Sequence, residues 1–401
     1  MEEKEGQSIP ALWRNRTYVV FWFGQAVSSI GGNISQIAFP WLVLSLTHSP
    51  AAAGIVGMMR TLPNLLYLIA GALVDRWNRK AVMIWCDLGR LLNLLMLLGM
   101  LFSGLISIWL LALSALLEGI LLVFFSIAHV SSLPALVQKT QLGAAQAQEE
   151  VTESITGLVG PSLAGVLYAA SHLLPFLFDA ISYLVSLFTL FQVKLPARAP
   201  QKRQHLLLEI MEGMVWMWKE PVLRTMNLCS VLAALVLPGE VLILMVLAKS
   251  YHVPDVWVGL IFAADGLGAI AGALIAPFLR LPVGWSVILV RWCFVLFWPL
   301  SLLGGSGWTL GLVNGLIGLV DPLEDVPYFS YRMRVIPDEL RGRVISACRI
   351  FTSLTNPLGQ LLTGLLLERL GATSTVLLGW LILILVASLF TLSPHMRRAR
   401  L

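Results

Sequence analysis

Charge is scarce in this sequence. Of its 401 residues only 12% are Asp, Glu, Lys or Arg, while 58% are hydrophobic. An average soluble domain carries about a quarter charged residues, so the water-soluble globular class is excluded. Cysteine is scarce too. Cys86, Cys229, Cys293 and Cys348 lie within or beside apolar stretches, at spacings that fit no metal site, and are expected to be reduced thiols packed as small hydrophobes. The sequence holds no phosphate-binding loop, nucleophile elbow or His/Cys cluster. ATP-driven work and enzymatic turnover are therefore not expected, and no cofactor or metal is called for. The polar stretch 1–10 lacks the basic-then-apolar order of a cleaved signal, and the first apolar run is too long to be one. That run is expected to be retained.

What remains is a succession of apolar runs, each long enough to cross a bilayer core of about 30 Å as a helix. They lack the alternation of barrel strands, and helices are the other structure that satisfies its own backbone in lipid. The runs fall at roughly 17–47, 51–74, 80–102, 106–130, 144–170 and 173–193, then 222–249, 256–279, 284–303, 308–331, 343–369 and 373–393. The expected fold is an all-α membrane protein of twelve transmembrane helices in two pseudo-symmetric six-helix bundles, 1–193 and 222–401. A cytoplasmic linker, 194–221, joins them. Twenty of the 27 Lys and Arg residues fall in alternate loops, the termini included, whereas the opposite loops hold only Lys249 and Arg369. The positive-inside rule then puts both termini in the cytoplasm. The same placement explains the net charge of +5 without a nucleic-acid partner. The linker continues from a basic stretch into Leu206–Trp218, with Glu209 and Glu212 on one face. It reads as an interfacial helix or as an extension of the seventh span. Internal similarity is faint: Ile69-Ala70-Gly71-Ala72-Leu73 recurs as Ile270-Ala271-Gly272-Ala273-Leu274.

After the second run comes Gly71-Ala72-Leu73-Val74-Asp75-Arg76-Trp77-Asn78-Arg79-Lys80. Gly71 would let two helices pack closely, Asp75 can bind a guanidinium or a helix N-terminus, and Asn78 suits a left-handed turn. The segment resembles the loop pattern G-x-L-x-D-R-x-G-R-K of the major facilitator transporters. That resemblance implies a latch of the cytoplasmic gate built on Gly71, Asp75, Arg76 and Arg79; the plain alternative is a staple of basic residues at the membrane surface. Further stretches resemble the macrolide-efflux-like branch of multidrug exporters: Phe21-Trp22-Phe23-Gly24-Gln25, Gly160-Pro161-Ser162-Leu163-Ala164-Gly165 and Pro337-Asp338-Glu339-Leu340-Arg341-Gly342-Arg343-Val344. One motif departs. Where many proton-coupled exporters carry R-x-x-Q-G, this chain reads Ala115-Leu116-Leu117-Glu118-Gly119.

Ionisable groups inside the membrane cost several kcal/mol unless paired or hydrated, so each requires a reason. The first half holds Arg60, Asp87, Arg90, Glu118 and Asp179. Arg60 and Glu118 lie at similar depth and could pair, either as structure or in a substrate or proton role. In the second half Glu240 follows Pro238-Gly239, where a helix break is expected, and Asp265 lies one span on. Asp321, Glu324 and Asp325 stand at i, i+3 and i+4 of the tenth run, with Arg349 at a depth to neutralise one of them. Three carboxylates so close cannot all stay ionised in a low dielectric, unless they sit at a wet mouth. The proton-coupling candidates are thus Asp321, Glu324, Asp325, Glu240, Asp265 and Glu118. For the substrate cavity, Gln25, Asn33 and Gln36 flank Gly31-Gly32 in the first span, with Arg60 beside them. The resemblance implies a cell-membrane exporter, expected to work as a monomer, that moves a hydrophobic or amphiphilic small molecule outward against protons. Alternatives are export of a siderophore, movement of a lipid, or a transporter-like receptor or scaffold that moves nothing, for which an added soluble domain would be expected.

Overall fold

The computed structural model describes residues 12–74, 76–104, 107–194, 206–279, 281–337 and 340–399, and among them helices and turns but no strand. α1 (Arg16–Thr47) is followed by α2 (Pro50–Thr61), which passes through a 3-10 turn (Leu62–Leu66) into α3 (Tyr67–Val74). α4 (Arg79–Ser103) and α5 (Ile108–Leu136) form a hairpin, and α6 (Leu142–Ala170) and α7 (Leu174–Gln192) complete the first group. α8 (Leu206–Lys219) leads to α9 (Pro221–Ala233), a 3-10 turn (Leu237–Gly239) and α10 (Glu240–Ser250). Then come α11 (Asp255–Ile275), α12 (Val283–Phe297), α13 (Gly307–Val335), α14 (Arg341–Leu392) and the short α15 (Pro394–Arg398).

Side-chain caps set several of the starts. Asn15, Ser49, Asn78, Ser107, Ser306 and Ser393 each accept a bond from a backbone N–H in the first turn they precede, which satisfies donors a helix leaves orphaned. This corrects the reading of Asn78. Its φ of −70° is not left-handed, and the residue serves the loop through its side chain, which accepts from the Ala81 N–H. Left-handed backbone is needed instead at Gly104 and Gly305, in the hairpin turns that precede α5 and α13. At Gly371 (φ 77°, ψ 173°) the backbone leaves helical geometry and divides α14 into two helices; only glycine adopts that conformation without strain.

Among the described residues, seven helical stretches are long and apolar enough to cross a membrane: α4, α5, α7, α9 through α10, α11, α12 with its 3-10 extension, and α14. α2 and α3 are interrupted by the turn at Leu62–Leu66, and α13 carries Asp321, Glu324, Asp325, Arg332 and Arg334 within its length.

In the first bundle α1 packs on α6 and α7, α4 on α5 and α7, and α2 on α5. In the second, α13 lies between α11 and α12, and α14 gathers α8, α9, α10 and α12. The bundles meet along two seams, α2 against α14 and α6 against α11. Both seams are closed by glycine. A Cβ at Gly364 would fall 2.7 Å from the Gly54 Cα, and one at Gly165 would fall 2.0 Å from the Gly259 Cα. Small residues let helix backbones approach where lipid offers no hydrophobic drive for association. Gly71 behaves differently from expectation: a Cβ there would meet nothing within 4 Å, so it mediates no close packing in this conformation.

Polar bridges join the bundles at the end where α1 finishes. Lys249 Nζ lies 3.3 Å from His48 Nδ1. Glu368 accepts from Ser49 Oγ at 2.7 Å and from the Ala51 N–H at 3.1 Å, so a carboxylate of one bundle sits on the N-terminus of a helix in the other, where the macrodipole favours it. α8 rests on the start of α14, with Gly213 against the Arg343 backbone and Glu212 ion-paired to Arg343. Within α8 Met217 is buried, while Met211, Val215 and Trp218 remain exposed.

A disulfide between His48→Cys and Lys249→Cys should form readily in the otherwise native chain. Adding Gly364→Val, which places side-chain carbon in the space of Gly54, should cut the cross-link yield several-fold. An unchanged yield would show that this seam does not hold the end closed.

Candidate functional site

Each bundle holds one interior cluster built around a guanidinium and carboxylates. In the first, α4 turns Asp87 and Arg90 inward, and both are buried, at 0% and 3% exposure. Arg90 Nε donates to Glu118 Oε1 of α5 at 2.8 Å, and its guanidinium lies 4.4 Å over the Tyr183 ring of α7. Tyr183 Oη donates to the same carboxylate oxygen at 3.0 Å. Ser186 Oγ donates to Asp87 Oδ2 at 2.6 Å and accepts from Gln25 Nε2 of α1 at 3.1 Å. Toward the other end Asp179 accepts from Ser35 Oγ and Ser182 Oγ, while Arg60 Nη1 of α2 donates to the Ser35 carbonyl at 3.3 Å. The helices come this close because a Cβ at Gly31 would lie 2.2 Å from Ser182 Oγ and 2.6 Å from Asp179 Oδ1.

This geometry revises three expectations. The direct partner of Glu118 is Arg90, not Arg60, because α4 turns Arg90 toward α5; the Arg60 charge still reaches Glu118 from the side. Gln25 belongs to the bundle core at 4% exposure, where its amide satisfies Ser186 rather than lining open space. Asn33 is half-buried, turned to its own helix and to α6: its Nδ2 donates to the Ser29 carbonyl at 2.9 Å and to Thr156 Oγ1 at 3.4 Å. Gln36 is exposed and Arg60 half-buried.

In the second bundle Arg291 Nη2 of α12 donates to Glu324 Oε1 of α13 at 2.5 Å, with both side chains largely buried. Asp321 and Asp325 are exposed. Positions i, i+3 and i+4 span an arc of about 100°, wide enough for Glu324 to reach α12 while its neighbours look past it. The three acids are therefore divided rather than presented together. Glu240 opens α10 directly after the 3-10 turn at Pro238-Gly239 and is influenced by the charges of Asp265 and Asp321. Asp265 packs against α13, its Oδ1 within 2.7 Å of where a Gly318 Cβ would lie. The Arg349 side chain lies outside the described residues. Arg291 is the guanidinium ion-paired on this acidic face, and the charge of Arg332 also reaches Asp325; the signal for Arg291 in the sequence is that it is the lone basic residue of its run.

Of the loop segment after α3, Asp75 lies outside the described residues. Arg76 is exposed, and Arg79 donates to the Ser131 carbonyl at 2.5 Å. Lys80 Nζ donates to the Val193 carbonyl at 2.7 Å, at the C-terminal end of α7.

Ion pairs sequestered between apolar helices, in two bundles joined by glycine seams, define a membrane transporter. The chain belongs to the major facilitator family described as transmembrane secretion effector, which it matches over residues 8–398. It is 28% identical to the multidrug efflux pump Tap of Mycolicibacterium fortuitum, covering 94% of this chain and 95% of that protein. It is 24% identical to macrolide efflux protein A of Streptococcus pyogenes, over 96% and 98%. With the enterobactin exporter EntS of Citrobacter koseri it shares 23% identity over 90% of each. Among solved structures it shares the fold of a bacterial homologue of the iron transporter ferroportin. The TM-score is 0.73 with the inward-facing state, at 18% identity over 94% of this chain and 98% of that one. With an outward-facing state it is 0.61, at 19% identity over 94% and 98%. These relatives and neighbours are transporters, not enzymes, and this chain acts on a small-molecule substrate.

Removing one partner of a buried ion pair strands the other and costs about 3–5 kcal/mol. Arg291→Ala should therefore lower stability by an amount of that order, measured by denaturant unfolding in detergent. Adding Glu324→Gln should restore most of the loss, since the stranded charge disappears. An Arg291→Ala protein as stable as the parent would show the pair to be solvated.

Proposed function

We propose that this chain is a secondary exporter of a hydrophobic or amphiphilic small molecule, working by alternating access and driven by proton entry. The observation that carries the reading is the acidic face of the second bundle. Glu324 is held by Arg291, while Asp321 stands exposed beside Glu240 and Asp265 with no guanidinium assigned to it alone. A carboxylate that is reachable yet crowded by like charge can exchange a proton as its surroundings alternate between open and closed. Asp321 is thus the leading proton carrier, with Glu240, Asp325 and Asp265 around it. The efflux activities in the names of Tap and macrolide efflux protein A support outward movement of drug-like compounds.

In this reading the polypeptide crosses the cell membrane twelve times as a monomer, in two bundles of six. Besides the seven long apolar stretches, the crossings are α1, α2 with α3, α6, α13 and the second part of α14; the ionisable residues of α2, α6 and α13 are tolerated where they face protein or water rather than lipid. Both termini are cytoplasmic. α8 lies along the inner membrane surface with Met211, Val215 and Trp218 toward lipid, and the Gly71–Lys80 loop latches the cytoplasmic gate when the bundles close there. Siderophore export is the second reading, favoured by the similarity to an enterobactin exporter.

Two measurements test this. In proteoliposomes with an imposed pH gradient, uphill transport of a macrolide or a cationic dye should fall at least tenfold in Asp321→Asn, with downhill exchange retained. Unimpaired uphill transport in Asp321→Asn combined with Glu240→Gln, Asp325→Asn and Asp265→Asn would place the proton elsewhere. Activity on enterobactin alone would favour the second reading. A C-terminal tag should be inaccessible from outside intact cells; labelling from outside would overturn the orientation.

A further inference from the structure

Among the described residues, the buried cluster of α4, α5 and α7 carries a charge in excess. Three carboxylates, Asp87, Glu118 and Asp179, share two guanidiniums, Arg90 and Arg60, which leaves one negative charge in excess. Glu118 has the first claim on Arg90, at 2.8 Å, and a second donor in Tyr183. Asp179 takes two serine hydroxyls. Asp87 is left with least. It is fully buried, its Oδ2 accepts only from Ser186, and its Oδ1 has no hydrogen-bond partner. The nearest cationic atom, Arg90 Nη1, stands 3.8 Å from Oδ1, beyond the reach of a charge-assisted hydrogen bond. The ionisable groups acting on Asp87 are Arg90 of its own helix, Glu118 of α5 and Asp179 of α7. Neighbouring Cys86 and Tyr183 are neutral thiol and phenol, and α1 contributes the uncharged Gln25 through Ser186.

We propose that Asp87 is a proton-binding site of the first bundle, distinct from the acidic face of the second. An ionised carboxylate without a close partner is strongly disfavoured in this interior, and a proton on Oδ1 removes the excess charge. A sodium ion would require a cage of oxygen ligands, whereas Asp87 offers one unpartnered oxygen. Arg90 makes the site switchable, because it stands between two carboxylates. If helix movement brings the guanidinium about 1 Å nearer Asp87, to ordinary ion-pair distance, the Asp87 O–H bond breaks, the proton passes to water, and an Arg90–Asp87 pair replaces it. Protonation of Asp87 and its pairing with Arg90 thus exclude one another. The use of this proton in transport rests on the proton-coupled reading above; its presence does not.

The test is infrared difference spectroscopy of the full chain in lipid vesicles, stepped from acid to alkaline pH without substrate. The native protein should show a carboxylic acid C=O band that disappears in Asp87→Asn, persists in Asp321→Asn and is unchanged when potassium replaces sodium. Ser186→Ala removes the hydrogen bond to the same carboxyl and should shift the band; this arm holds even if Asp87→Asn does not fold. A native-minus-Asp87→Asn spectrum without that band, no shift in Ser186→Ala, or a band abolished by sodium would each overturn the proposal. In the transport assay Asp87→Asn should lose uphill transport of the same dye while keeping downhill exchange, and wild-type uphill transport by that mutant would show the proton to be static. A native protein with the Asp87 band but no response to a pH gradient would refute proton-driven export and leave the site standing.

Discussion

In each bundle a guanidinium is held between two consecutive antiparallel helices by one carboxylate: Arg90 of α4 by Glu118 of α5, and Arg291 of α12 by Glu324 of α13. Both hairpins turn through a left-handed glycine, Gly104 or Gly305, and both restart on a serine cap, Ser107 or Ser306. A buried pair of this kind adds little net stability, since desolvation offsets most of the attraction. Its consequence is positional. Each guanidinium can neutralise one acid only, so carboxylates are left without a full partner: Asp87 in one bundle, and Asp321 with Asp325, Asp265 and Glu240 in the other. The chemistry of the molecule lies in those remainders.

The rest of the architecture supports these pairs by letting helices approach closely. Gly31 admits Ser182 and Asp179 to the flank of α1, and Gly318 admits Asp265 to α13. Between bundles the glycine contacts at Gly54–Gly364 and Gly165–Gly259 are matched by the Glu368 bridge to Ser49 and Ala51 at one end. Gly71, toward the other end of α3, meets nothing.

The helical membrane class, the family and many helix limits could be read from the residues, because each depends on local composition. Apolar runs bounded by Asn or Ser caps become helices wherever they fall in the chain, and Gly371 between two runs marks a break that hydrogen-bond pattern alone conceals. The linker helix and the break before Glu240 are likewise local, set by Pro221 and Pro238.

Which charge meets which was decided by tertiary structure. Depth along a span is a one-dimensional coordinate, and it made Arg60 a plausible mate for Glu118. Pairing also depends on the rotation of each helix and on which helix lies alongside. Rotation turned Arg90 toward α5 and carried Gln25 into the core. Adjacency placed α12, with Arg291, beside Glu324. The sequence by itself therefore determined that acids and bases would be buried in apolar helices, since composition sets that. Only the packed bundles decided which of those acids kept a partner, because a single ångström separates an ion pair from a carboxylate left to bind a proton.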